Sequence, residues 1–374
     1  MSNVVISGSG LFHPEESISN DELVASFNTY VANYNIRHAA EITAGKIDAL
    51  KESSSEFIEK ASGIKSRYIR NKFDILDHEK MWPFIPERED NALSMQAEAG
   101  LIAAKEALKN ANKSTADIDA VIVSCTHKQR DYPSIAIEIQ NALGITGYAY
   151  DMGVACSSAT FAIQAAYNAI KAETASAILV VVPEIIAGQV NYRDRDSHFI
   201  FGEADVAIIL EREETCVAED VFQVIDINLL TQFSNNIRNN RGAFNRCAPE
   251  GMDLADKMFY QNGRKVFKEV LPLASSFINE QLQKNHIDPK KVARYWLHQA
   301  NSNMNRVIAE HLMGKGYALE RAPIVLDEFA NTGAAGSIVA FYKYHQGIAS
   351  GEYAVLCSFG AGYSIGCIIL QKLN

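Results

Sequence analysis

The chain has 374 residues, 48% hydrophobic and 21% charged, and no apolar run reaches the length of a membrane-spanning helix. Its 35 basic against 45 acidic residues give a net charge of −10, which argues against bulk nucleic-acid binding and leaves any acidic partner dependent on a local basic patch. Six scattered cysteines (125, 156, 216, 247, 357, 367) form no Cys-x-x-Cys pair and share no metal-ligand spacing, so they read as free thiols of a reducing cytoplasm; Met1 to Ile6 runs straight into a strand without a basic leader region.

In chain order, the first half reads as a strand (Val4 to Gly8), an irregular helical region, a helix (Asn91 to Asn110), a strand (Ala120 to Ser124), a helix (Ser134 to Leu143) and a strand (Tyr148 to Met152). It closes with a helix (Ala159 to Lys171) and two strands (Ala177 to Val182, Val206 to Glu211). The second half repeats the pattern: strand Phe222 to Leu230, helix Gly263 to Lys284, strand Arg294 to Leu297, helix Ser302 to Met313, strand Ile324 to Leu326, helix Ala335 to Ile348, strands Tyr353 to Ser358 and Ser364 to Gln371. Two β-α-β-α-β-α-β-β repeats predict two similar α/β halves, residues 1–215 and 216–374, with mostly parallel sheets layered between helices.

The repeat gives chemical meaning to three residues. Cys156, in Ala155-Cys156-Ser157-Ser158, stands between a strand and a helix, where free backbone N–H groups and the positive helix end favour thiolate, the nucleophile. A small buried core cysteine is the competing reading. Asn331 lies at the matching corner of the second half, and His298 ends that half's second strand in His298-Gln299-Ala300-Asn301. Taken singly, His298 reads as a satisfied core histidine and Asn331 as a cap or turn residue. All three sit at carboxyl ends of strands, where open α/β sheets hold ligands. Cys, His and Asn at one site suit acyl-thioester chemistry: the thiolate attacks a thioester, and neutral His298 with the Asn331 amide stabilises an enolate. The oxyanion needs two N–H donors; Cys156 supplies one, and Ala361, in the loop Phe359-Gly360-Ala361-Gly362-Tyr363, a second.

Across nearly its whole length the chain resembles the thiolase-superfamily condensing enzymes, and among them β-ketoacyl-acyl carrier protein synthase III. The matching pieces are Ser62 to Arg67, Tyr132-Pro133-Ser134, the Cys156 segment, Phe201-Gly202-Glu203, Gly263 with Val266-Phe267-Lys268, His298 to Asn301, Asn331-Thr332 and Phe359 to Gly362. The resemblance implies a thiolase-like fold, acylation of Cys156 from an acyl-CoA, and decarboxylation of malonyl-acyl carrier protein at His298 and Asn331, followed by Claisen condensation. It implies a homodimer and no resident cofactor beyond CoA or phosphopantetheine thioesters. By position Arg195 matches the arginine of the CoA site, Tyr132 an aromatic that crosses the dimer interface to limit chain length, and Phe57 and Phe359 further substrate contacts. Lys268, and Arg306 on the helix after His298, are the expected carrier-protein dock.

Several positions depart from the family pattern. Phe57 replaces a Trp, Ala61 an Arg, and Glu203-Ala204-Asp205 a Gly-Asp-Gly-like turn; residues 28–54 are an insertion, with a short amphipathic helix expected over Ile42 to Leu50. Ala361 replaces a Gly and keeps its N–H in place only with negative φ. Cys357 precedes the glycine-rich loop and reads as a core residue, which sets the chain apart from degradative thiolases. The alternatives are an acyltransferase or thioester hydrolase on the same fold and a non-catalytic partner subunit of a synthase pair; the first has no enolate for Asn331 to stabilise, and the second has no need of all three residues.

Overall fold

The computed structural model describes residues 2–251 and 257–374. Nine strands form one mixed sheet: β1 (Val4–Phe12), β2 (Ala120–Ser124), β3 (Tyr148–Met152), β4 (Ala177–Glu184), β5 (Ala204–Arg212), β6 (Phe222–Ser234), β7 (Arg294–Leu297), β8 (Tyr353–Gly360) and β9 (Gly362–Lys372). Their order is β7-β8-β9-β6-β1-β5-β4-β2-β3. The two halves join where β1 pairs antiparallel with β6, Val5 opposite Gln223 and Ile6 opposite Phe222.

The expectation of mostly parallel sheets is corrected. Only β2 with β3, β2 with β4 and β7 with β8 run parallel. The remaining neighbours are antiparallel because the last two strands of each half follow one another without a crossover helix; β8 and β9 are separated by Ala361 alone.

Among the described residues, the helices of nine or more residues are α1 (Asn20–Arg37), α2 (Met95–Asn110), α3 (Ile135–Leu143), α4 (Ser158–Lys171), α5 (Gly263–Lys284), α6 (Ser302–Met313) and α7 (Gly336–Tyr344). The strands alternate between two buried faces with period two. On β4, Ile178, Val180 and Val182 share a core with Ala159, Ile163 and Ala166 of α4 and Ile338 and Phe341 of α7. Trp296, Leu356 and Ile368 of the second half line the same core, so α4 and α7 lie between the two halves of the sheet. The opposite faces are covered by α2 and α3 in the first half and by α5 and α6 in the second.

Two sequence-based elements do not form as expected. Residues 324–325 take no strand conformation, and Leu326–Phe329 is a short helical turn. The Gln299 side chain serves the backbone there in place of a strand neighbour: its Oε1 accepts from Val325 N–H at 3.0 Å and its Nε2 donates to Pro323 O at 3.4 Å. In the insertion, the helix is Ala39–Thr43 rather than 42–50. The returning chain is held extended by two α1 asparagines, Asn35 bonding Leu50 N–H and C=O (2.9 and 3.0 Å) and Asn28 bonding those of Ser53 (2.9 and 3.1 Å).

Candidate active site

The corner between β3 and α4 carries Cys156. Ala155, just before it, has φ 45, a left-handed conformation that turns the next side chain out of the strand line. Ser158 fixes the bend by accepting from Val154 N–H (2.7 Å) and donating to Ala155 O (2.6 Å). The turn between β8 and β9 closes over the thiol. Gly360 packs so tightly there that a Cβ would lie 2.6 Å from Cys156 Cβ and 3.2 Å from Sγ. Ser364 and Ser157 tie turn to corner, Ser364 Oγ donating to Ala361 O (2.9 Å) and Ser157 Oγ to Ser364 O (3.0 Å).

The backbone N–H groups of Ala361 and Cys156 lie near enough to the sulfur to favour its thiolate. The positive φ of the turn falls on Gly362 (φ 132), and Ala361 is not among the positive-φ residues, so the substitution of Ala for Gly keeps the N–H in place. Against the thiolate-favouring corner expected from the sequence stands the half-burial of Cys156. Burial pushes the thiol up to about 12, with repulsion from Glu184 adding to it, and the two N–H groups offset this only in part.

His298 follows β7 and is 2% exposed. Its N–H donates to Cys357 O at 2.8 Å, and its carbonyl accepts from Asn305 Nδ2 at 2.9 Å. Phe359, on the turn that covers Cys156, meets the imidazole edge-on with centroids 5.4 Å apart. Burial brings the His298 pKa down to about 4, so the ring is neutral at pH 7, and its Nδ1 is buried without a partner. Phe359 is thus packed behind the imidazole and almost wholly buried, rather than opening onto solvent.

Asn331 follows Ala330, which has φ 54 and ψ −157. Its backbone is zipped to the first half, N–H to Ile200 O (2.9 Å) and C=O from Gly202 N–H (3.1 Å). Asn331 Oδ1 accepts from Gly333 N–H at 3.0 Å, which commits the oxygen and leaves the amide NH₂ as the free donor.

The remaining expected residues sit further out. Arg195 lies over the Phe57 ring, 3.9 Å from its centroid, and Arg195 Nε donates to Glu52 O at 2.6 Å, so the end of the insertion braces this pair. Tyr132 is 86% exposed beside a cis Tyr132–Pro133 bond. Lys268 is exposed on the first turns of α5 with Arg264 and Lys265, and Arg306 is exposed on α6 with Nη2 donating to Asn303 Oδ1 at 3.0 Å. Cys357 is fully buried opposite Cys367. Among the described residues no group of three or more His, Cys, Asp or Glu is placed to hold a metal, and no helix is long and apolar enough to cross a membrane.

Sequence reasoning missed two carboxylate centres. Arg70 bridges Glu203 (3.0 Å) and Asp205 (2.9 Å), both fully buried, which gives the unusual Glu203-Ala204-Asp205 its role. Glu184 ends β4 at 1% exposure and lies close enough to Cys156 to perturb it. The available signal was a carboxylate closing an otherwise apolar strand, Ile178 to Glu184.

A thiol at the corner between β3 and α4, a neutral imidazole after β7 and an amide after the helical turn Leu326–Phe329, set around a shared central helix layer, are the arrangement of a condensing enzyme of thiolase-like fold. Two family models match, 3-oxoacyl-acyl carrier protein synthase III over residues 150–231 and its C-terminal part over 282–372. The chain is 54% identical over 347 residues to the β-ketodecanoyl-acyl carrier protein synthase of Pseudomonas aeruginosa, covering 93% of this chain and 99% of that one. It is 28% identical over 377 residues to the β-ketoacyl-acyl carrier protein synthase III of Ehrlichia canis, covering 99% and 100%. The crystal structure of a 3-oxoacyl-acyl carrier protein synthase III from P. aeruginosa superposes with TM-score 0.77 at 20% identity, covering 100% and 99%, which supports the fold. The chain belongs to the β-ketoacyl-acyl carrier protein synthase III family. It catalyses the family's condensation, joining an acyl thioester to malonyl-acyl carrier protein with loss of carbon dioxide.

Proposed function

We propose that Cys156, His298 and Asn331 divide this reaction between them. Cys156 attacks the primer thioester, the donor thiol leaves, and an acyl-Cys forms. The malonyl thioester then loses its carboxylate as CO₂, and the electron pair left behind becomes an enolate. His298, protonated on Nε2, and the Asn331 amide donate to that enolate oxygen. The carbanion attacks the acyl-Cys carbonyl; the N–H groups of Cys156 and Ala361 receive the oxyanion, and collapse expels the Cys156 thiolate. The observation that carries this reading is the β8–β9 turn, whose Phe359 backs His298, whose Gly360 covers Cys156 and whose Ala361 N–H meets the sulfur. The chemistry runs on thioesters and asks for no resident cofactor.

The primer is of medium length. A β-ketodecanoyl product contains ten carbons, two from malonate and eight from the primer, and the relative so named is 54% identical. A broad groove of about 1210 Å³, lined by Met152, Gly153, Ile185, Trp82 and Ile85, lies beside the segment leading to Cys156, with Cys156, His298 and Asn331 outside its lining. Tyr132 completes it from the second subunit of a cytoplasmic homodimer. Lys268 and Arg306 face the acidic carrier protein. Phe57 and Arg195 form the CoA site, where a nucleobase stacking on Phe57 displaces the guanidinium.

Intact-mass spectrometry with acyl-CoA and acyl-carrier protein series of two to twelve carbons tests this. The expected outcome is one acyl adduct, absent in Cys156→Ala, forming fastest with eight carbons. A preference for acetyl-CoA removes the medium-chain reading, and an adduct that survives in Cys156→Ala removes the nucleophile.

A further inference from the structure

One Glu184 oxygen holds the two halves of the molecule together beside the site. Oε1 accepts from Thr126 N–H at 2.9 Å and Thr126 Oγ at 2.6 Å, both in the first half, and from Ala334 N–H at 2.9 Å in the second. Ala334 belongs to the same turn as Asn331: Gly333 N–H holds Asn331 Oδ1, and the next N–H along the chain holds Glu184. The packing leaves no slack, for a Cβ on Gly333 would lie 2.9 Å from Glu184 Oε1 and 2.7 Å from Thr126 Oγ. Successive N–H groups thus fix the amide to the turn and the turn to β4.

We propose that Glu184 is a positioning residue for the decarboxylation half-reaction, anchoring the Asn331–Ala335 turn so that the Asn331 amide points its NH₂ at the malonyl thioester. This rests on the reading of Asn331 as an enolate donor. Glu184 touches no reacting atom in this account; it acts through Ala334 and Gly333. Gln in its place keeps a carbonyl oxygen for the Ala334 N–H, whereas Ala removes every acceptor and frees the turn. Loss of about an ångström in the placement of a donor corresponds to roughly a hundredfold in rate.

The test separates the half-reactions in the full-length enzyme. Carbon dioxide release from malonyl-acyl carrier protein and the rate of acyl-Cys156 formation from octanoyl-CoA are measured for wild type, Glu184→Ala, Glu184→Gln and Asn331→Ala. The expected result is decarboxylation lowered roughly a hundredfold in Glu184→Ala and restored to within about tenfold of wild type in Glu184→Gln, with acylation not slowed in either. Acylation also reports that the variants are folded. If Asn331→Ala loses decarboxylation while Glu184→Ala keeps it, the positioning role is wrong and the enolate reading stands. If Asn331→Ala keeps decarboxylation, the enolate reading itself is wrong. Equal loss of both half-reactions in Glu184→Ala, or no recovery in Glu184→Gln, overturns the proposal in favour of general structural damage.

Discussion

The contact between Gly360 and Cys156 makes Gly360→Ala the sharpest probe of the acylation site. The added Cβ falls 2.6 Å from Cys156 Cβ, while carbon atoms in contact rest at about 3.5–4.0 Å, so corner and turn must part by about 1 Å. A rotamer change does not relieve it, since the clash is with a Cβ, whose position the backbone fixes. The displaced neighbour is the Ala361 N–H, proposed as one of the two oxyanion donors and near enough to the sulfur to lower its pKa. A misplacement of that size costs roughly a hundredfold, and outright loss of an oxyanion donor roughly a hundred- to a thousandfold. The global cost is that of an overpacked core methyl, about 1–3 kcal/mol, which leaves the protein folded. Acyl-Cys156 formation, followed in single turnover by intact mass at a temperature well below the measured Tm, should fall by two to three orders of magnitude. Acylation within threefold of wild type in a cooperatively folded variant would falsify the view that the turn is set against the thiol.

Three further perturbations test other parts of the structure. Arg70→Met leaves Glu203 and Asp205 buried without a counter-charge and should cost about 3–5 kcal/mol in a denaturant titration. Burial already raises Asp205 to about 7 and Glu203 in the same direction, so the folded state holds their protons at a pH where the unfolded chain releases them. Their favourable contribution is lost as pH rises through the folded-state value, so the Arg70→Met deficit should be smaller at pH 5 than at pH 8, and an equal deficit at both refutes the assignment. Iodoacetamide alkylation of Cys156 should keep rising with pH beyond the ordinary thiol range; Glu184→Gln, by removing a repulsive charge, should lower that inflection and speed alkylation at pH 8. A plateau near pH 8.5 in wild type contradicts the burial argument. Charge reversal at Lys268 and Arg306 together should raise KM for malonyl-acyl carrier protein roughly fivefold at low salt and less at high salt, with octanoyl-CoA acylation unchanged; a salt-independent effect excludes docking.

Periodicity revealed most of the fold because the main strands are short β-branched runs and several helices carry side-chain caps, Ser94, Ser134, Asn262 and Asn301 among them. The span Gly263 to Lys284 matches α5 end to end, and Tyr148 to Met152 matches β3. The failures share a cause. Ile324 to Leu326 looks like a strand locally, but the side chain of Gln299, twenty-six residues away, takes Val325's hydrogen bond. Asn28 and Asn35 likewise decide the path of residues 50–53 from a distance. At the site, the duplication singled out Cys156, His298 and Asn331 as candidates, whereas the upward shift of the Cys156 thiol had no local signal. A strand-to-helix corner displays the helix N-terminus in the sequence, but the enclosure that outweighs it comes from Gly360 and Glu184, 176 residues apart in different halves.

The two strained alanines show how one backbone device serves two chemistries. Ala155 (φ 45) precedes the nucleophile, and Ala330 (φ 54) precedes the amide, at matching corners of the two halves. Left-handed conformations of non-glycine residues cost about 1–3 kcal/mol each and persist only where the surroundings over-determine them. Here they do: Ser158 brackets Ala155 from both sides, and the Ile200 and Gly202 backbone brackets Asn331. The kink turns the backbone off the line of the preceding segment at each corner, as the proposed roles of Cys156 and Asn331 require. A free thiol held up near 12 by burial then fits an ordered sequence of steps. Under the proposed roles, Cys156 rests as a thiol in the empty enzyme, while neutral His298 and the Asn331 amide, its oxygen held by Gly333 N–H, stand ready as donors.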